Sequence, residues 1–119
     1  MNEKQMVMSE HEIQKQIMRE LSMHHCTVFR ANVGKVLMQN GRWFDTGLPK
    51  GHPDLYGFRW VDNQVFYIEV KSKTGKPRDD QIRFHKFLLS HNVIHGIARS
   101  TKDARMIVEG GLVGYGYPV

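Results

Sequence analysis

Apolar residues recur along this chain at two spacings, and the change from one to the other marks out its elements. In "SEHEIQKQIMREL", Ile13, Ile17 and Leu21 return at i, i+4 and i+8. That spacing places them on one face of a helix running from Glu10 to about His24. Ser9 and Glu12 fit a capping box at its start, the serine bonding forward and the glutamate reaching back. "CTVFRANVG" then reads as a strand, rich in β-branched and aromatic residues and ended by Gly34. "KVLMQNGRWFDTG" reads as an irregular or hairpin-like segment turning at Asn40-Gly41. "DLYGFRW" and "QVFYIEVKS" flank a "VDN" turn and predict a β-hairpin.

The helical spacing returns after "TGKPRDDQ", with Pro77 at or near the first helical position. Asp79 and Asp80 fall in the first turn, where the helix dipole favours acids. Ile82, Phe84, Phe87, Leu88 and Leu89 supply its apolar surface, and Asn92 can close it. "VIHGIARS" predicts another strand. "TKDARMIVEGG" predicts a short final helix, capped by Ser100 or Thr101 and stopped by Gly110-Gly111. Residues 1–8 read as a frayed arm. The order α-β-(β)-β-β-α-β-α predicts the α/β class, a mixed β-sheet flanked by helices, and 119 residues suffice for one domain with one core.

Composition narrows the class without changing this picture. Hydrophobic residues make up 40% and charged residues 24%, ordinary for a globular fold. No apolar run approaches the roughly 20 residues of a membrane span, and the first residues lack an apolar leader segment. A single cysteine, Cys26, forms no internal disulfide, so the expectation is the cytoplasm. Seventeen Lys and Arg against twelve Asp and Glu leave a net charge of +5, which suits a phosphate-rich partner. The seven histidines show no HExxH or Cys/His zinc spacing. His24 and His25 read as surface residues at a helix end, and Trp43, Phe44 and Trp60 as core or dimer contacts.

The chemistry starts in "GLPKGHPDLYGF", where two prolines and several glycines crowd ahead of one acid. Pro53 fixes its own φ and holds His52 extended, so Asp54 enters its strand at a defined angle. In the next strand Phe66, Ile68 and Val70 share one face, and Tyr67, Glu69 and Lys71 the other. A turn centred between Val61 and Asp62 sets Asp54 opposite Glu69. Directly opposed residues have β-carbons roughly 4.5–5.5 Å apart, and two carboxylates at that range call for a cation between them. Mg²⁺, or Mn²⁺, is the natural candidate, because it accepts one or two carboxylates and keeps room for water and phosphate. Lys71 beside it can orient or help deprotonate a water, or steady charge on a phosphorane-like transition state. Metal, lysine and carboxylates together suit phosphodiester hydrolysis.

"PD" at Pro53-Asp54 followed by "EVK" at Glu69–Lys71 resembles the restriction-endonuclease-like superfamily of PD-(D/E)XK nucleases. The wider pattern joins "E…IQ", "FRANVG", "PDL", "IEVKSKTGKPRDDQIRF" and "ARSTKDA". It resembles the virus-type replication-repair nuclease domain, VRR-NUC, from about Glu10 to Ile107. The resemblance implies a restriction-endonuclease-like fold across residues 1–119. It also implies a divalent-metal-dependent endonuclease of branched DNA such as Holliday junctions, acting as a homodimer and encoded by a bacterium, phage or prophage. Asp54 and Glu69 match the metal-binding acids, Lys71 the catalytic lysine and Gln81 the glutamine of the following helix, which would orient Lys71 or the water. The first-helix acid is Glu10 or Glu12; Glu10 lies on the inward stripe, whereas Glu12 has a role in the cap. The backbone carbonyl of Val70 joins Glu10, Asp54 and Glu69 in the expected metal set.

The chain departs from the family at His52, which stands where a small or apolar residue is common and adds a candidate substrate contact. Arg30 reads either as a phosphate contact or as the partner of a surface acid. Lys73, Lys76 and Arg78 follow the catalytic strand and are candidates to grip the DNA backbone. Neither a membrane nor a nucleotide cofactor is expected. A flap or single-strand nuclease, a non-catalytic basic DNA-binding module and an RNA-directed nuclease are the competing readings.

Overall fold

A computed structural model of the protein describes residues 8–118. The expected frayed arm lies, apart from Met8, outside the described residues. Helix α1 (Glu10–Met23) leads into strand β1 (Cys26–Arg30), and a small hairpin follows, β2 (Lys35–Leu37) and β3 (Trp43–Asp45). Strands β4 (Leu55–Arg59) and β5 (Val65–Val70), helix α2 (Asp79–Ser90), β6 (Ile94–Ala98), α3 (Thr101–Gly110) and β7 (Val113–Tyr115) complete the chain. Five strands form one mixed sheet in the order β1-β4-β5-β6-β7, while β2 and β3 pair only with each other. The β1–β4 and β4–β5 pairs are antiparallel and the last two parallel. Parallel neighbours need a crossover, and α2 and α3 provide the two.

The helices cover both faces. Ile13, Ile17 and Leu21 of α1 are buried, as their spacing predicts, against Leu55, Phe66, Ile68 and Val70 and against Ala104, Ile107 and Val108 of α3. Ser9 caps α1 by accepting from the Glu12 amide (3.2 Å). Ser100 caps α3, which closes on Gly111 in the left-handed conformation (φ 61°), where a β-carbon is strained.

The other face of β5 and β6 lies under α2. There the periodicity misjudges which side turns inward. Gln81, His85 and Leu88 are buried, whereas Phe87 and Leu89 are exposed. The reason is that β5 and β6 present Glu69 and His95 on that face, so α2 meets them with polar groups. His95 Nδ1 donates to the Val93 carbonyl (2.7 Å), and His85 Nδ1 donates to His95 Nε2 (2.7 Å). His85 in turn stacks flat on Tyr117, with ring centroids 4.0 Å apart.

Several expectations need adjusting. Strand β1 ends at Arg30 rather than Gly34, since the chain leaves the sheet there for the β2–β3 hairpin. Pro77 precedes the N-cap, Arg78, and Asn92 takes a left-handed turn (φ 56°) just past the end of α2. Strand β7 has no forerunner in the sequence reading: "LVGYGYPV" is short, glycine-broken and recognisable only by its parallel pairing with β6. Trp43, Phe44 and Trp60 are 66%, 57% and 54% exposed, so none is core. No described helix is long and apolar enough to cross a membrane.

Candidate active site

The register of β4 with β5 pairs Leu55 with Ile68, so the next step outward sets Asp54 opposite Glu69, as the turn arithmetic predicts. Asp54 is tied down on both sides. Its backbone carbonyl accepts from the Ala31 amide beyond β1 (2.8 Å), and its Oδ2 accepts from the Val70 amide on β5 (2.8 Å). The glycine-proline run ahead of it wedges under the start of α2. Gly51 has φ 89°, and a β-carbon there would lie 2.2 Å from the Asp80 carbonyl oxygen, so only glycine allows this approach.

Glu69 is 1% exposed. Its Oε1 accepts from Gln81 Nε2 (3.0 Å), and the Gln81 carbonyl oxygen accepts from the Arg78 amide (2.9 Å). Gln81 thus both caps α2 and fixes the rotamer of Glu69; its bond goes to the acid, not to Lys71. Lys71, also buried, brings Nζ to 3.9 Å from the same Oε1. Among the described residues, Glu69 Oε2 has no hydrogen-bond partner. Burial first, then the neighbouring Asp54, pushes the Glu69 carboxyl up to about 10, against the smaller opposing pull of Lys71. Tyr117, buried nearby, is raised chiefly by burial and further by Glu69 and Asp54.

The first-helix acid reaches the same neighbourhood. A β-carbon on Gly75 would meet Ser72 Oγ at 3.1 Å, Glu10 Oε1 at 3.2 Å and Lys71 Cδ at 3.5 Å. Glu10 therefore points at the loop that follows Lys71, whereas Glu12 is exposed and its amide is the one that bonds the Ser9 cap. Among the described residues, however, no three His, Cys, Asp or Glu side chains form a ready metal-binding group. Asp54 and Glu69 are adjacent; Glu10 does not complete a trio with them, being an exposed side chain of the first helical turn. The residues still suit a divalent cation: a buried carboxylate oxygen without a partner costs roughly 1–3 kcal/mol, and a cation at that oxygen removes the cost. Such an ion is content with one or two carboxylates.

The other candidates are scattered around this centre. Arg30 is exposed at the end of β1, opposite Leu55. Lys73, Lys76 and Arg78 are exposed on the loop after β5, and among the described residues Arg78 alone of the three makes an ion pair, with Asp80 (3.3 Å). His52 is half-buried among Tyr56, Tyr67 and Phe84, and its Nδ1 donates to the Pro53 carbonyl (2.8 Å). It holds the loop that delivers Asp54. An open groove beside α2, lined by Lys50, Arg78, Arg83, Asp79, Asp80, Phe84 and Phe87, balances its charges too closely to be an anion site by itself.

Sequence reasoning missed one positioning residue. Arg99, at the end of β6, donates through one guanidinium nitrogen to the Ser72 and Gly75 carbonyls (2.5 and 2.7 Å). It fixes the loop on which Lys71 and Glu10 converge. Its position directly after a strand, ahead of a serine cap, was the available signal.

Comparison with known proteins agrees with this fold. The family model described as the VRR-NUC domain matches residues 8–102. A solved structure described as a VRR_NUC domain superposes with a TM-score of 0.63 at 19% identity, covering 86% of this chain and 97% of that one. No curated protein matches the sequence.

Proposed function

This chain belongs to the VRR-NUC domain family, and from that premise we propose that it is a divalent-metal-dependent endonuclease of branched DNA such as four-way Holliday junctions. The observation that carries the reading is the orphaned Glu69 Oε2, buried beside Asp54 with the Lys71 ammonium close by. Asp54, Glu69 and the Val70 carbonyl would hold Mg²⁺ or Mn²⁺. Such an ion activates water and offsets negative charge on phosphate oxygens.

The protein's own groups supply the rest. Gln81 locks Glu69 with one oxygen occupied and the other free. The Val70 amide holds one oxygen of Asp54. Lys71 orients the attacking water and steadies the charge that grows on the phosphoryl oxygens as the water oxygen bonds to phosphorus. The bond from phosphorus to the bridging oxygen then breaks, and that oxygen leaves with a proton that balances the one given up by the attacking water. Arg30, Lys73 and Lys76, exposed and without ion pairs among the described residues, are suited to grip backbone phosphates, so recognition is of shape more than sequence. A four-way junction needs two cuts and each chain has one such centre, so the working unit is a two-fold dimer.

The test incubates the protein with a labelled four-way junction, a flap, a plain duplex and the matching RNA, each with Mg²⁺, Mn²⁺ or EDTA. Metal-dependent cutting strongest on the junction is expected, and Lys71→Ala should lower it roughly 10³-fold, in line with the loss of one charge-stabilising donor, while binding persists. Cutting of the flap or RNA in preference would shift the substrate. Binding with no cleavage under either metal would make this a DNA-binding module.

A further inference from the structure

The β2–β3 arm is the part of the molecule that nothing so far explains. All six of its strand residues are exposed, and its sheet is separate from the main one. Leu37 pairs with Trp43 and Val36 with Phe44. Facing residues of a ladder share a side, so the first pair lies on one face and the second on the other. Leu37, Trp43, Val36 and Phe44 are 57%, 66%, 45% and 57% exposed. A ribbon apolar on both faces, and of a kind that is marginally stable alone, is built to be covered.

Two further observations say by what. Residues 30–50 carry four cations, Arg30, Lys35, Arg42 and Lys50, and a single acid, Asp45. All four cations are exposed, and none makes an ion pair among the described residues. Asp45 is occupied locally, its Oδ1 accepting from the Gly47 amide (2.9 Å). The arm is also rooted at the candidate active site. The chain enters it just after Ala31 and leaves it through the loop to Asp54, and these two residues are bonded backbone to backbone (2.8 Å).

We propose that the arm is the branch-reading element of the enzyme: Trp43 and its neighbour Leu37 stack on bases left unpaired at a branch point, while Arg30, Lys35, Arg42 and Lys50 hold the flanking phosphates. Exposed aromatics amid unpaired cations match a strand with bare bases and a charged backbone. Arm-to-arm pairing of two copies fits less well, because it brings together two copies of a segment that carries four cations and one acid. The inference rests on DNA being the substrate, as proposed above.

The test is binding in EDTA, where no cutting occurs, by fluorescence anisotropy with a four-way junction, a flap and a fully paired duplex of equal length. Trp43→Ala should weaken binding to the junction and flap by roughly 5- to 150-fold, the range expected for one lost base–aromatic stack. Duplex binding should stay within about twofold, and the circular-dichroism melt should not move. A 2-aminopurine at the branch should change emission with the wild type and not with the variant. Equal binding of all three DNAs by variant and wild type overturns the proposal. So does a variant whose hydrodynamic mass halves, which makes the arm a contact between copies. A protein that binds branches through Trp43 yet cuts nothing with Mg²⁺ or Mn²⁺ refutes the nuclease reading alone; one that cuts junctions normally with Trp43→Ala refutes only this one.

Discussion

In the β4–β5 hairpin Phe66 and Ile68 are fully buried, whereas in the β2–β3 hairpin Phe44 and Leu37 each leave more than half their surface exposed. Both are antiparallel, both are closed by short turns, and both carry large apolar side chains. What differs is their surroundings. Strand β5 sits in the middle of the sheet, between β4 and β6, with α1 and α3 on one side and α2 on the other. Every strand residue of the arm is exposed, on both faces of the ribbon. A covered hairpin can hold a carboxylate out of water and fix its rotamer; an open one can only offer surface to something arriving from outside. On the proposed reading, the chain separates a rigid chemical centre from an exposed DNA-reading element.

The difference should be widest in stability. Phe66→Ala is expected to cost about 3–5 kcal/mol, as truncation in a packed core does, while Phe44→Ala should stay within about 0.5 kcal/mol. Urea melts of the two variants measure this directly; comparable losses would mean that the arm is packed in solution. Kinetics should then divide the two regions. Arg99→Ala frees the loop that positions Lys71 and should lower kcat, by up to about 100-fold for a displacement near 1 Å, with partial recovery in Arg99→Lys. Arg42→Ala, out on the arm, should instead raise KM and flatten the dependence of binding on salt. A kcat effect at Arg42 would erase the division of labour.

The smallest effect is in acid. Burial holds both His85 and His95 below the ordinary histidine range, with the facing His95 and nearby Lys86 also lowering His85. A group whose pKa is depressed on folding gives stability that is present above its ordinary value, near 6.5, and lost as the pH falls through the folded value. The pair should therefore take a few degrees off the melting temperature between pH 7 and pH 5, against the opposite slope of Glu69, whose raised carboxyl loses stability as the pH rises; the share of the pair is the part that disappears in His95→Gln. The arm, with no histidine among residues 35–45, contributes nothing to that slope.

Much of this arrangement is legible in the sequence, and for one reason. Turn position and the two-residue period of a strand are local, so the turn near Val61 and Asp62 sufficed to place Asp54 opposite Glu69 and to sort Phe66, Ile68 and Val70 from Glu69 and Lys71. The four-residue spacing of Ile13, Ile17 and Leu21 did the same for α1, and Ser100 and Gly111 did so for the ends of α3. Local rules say nothing about what lies across a gap. The inward turn of Gln81 and His85, the bond from Gln81 to Glu69, the clasp of Arg99 on the Lys71 loop, the addition of β7 at the sheet edge and the nakedness of the arm all join residues distant along the chain. They were decided by packing, because the burial of a side chain depends on which other elements reach it, and a periodicity read along one element records only which residues share a side.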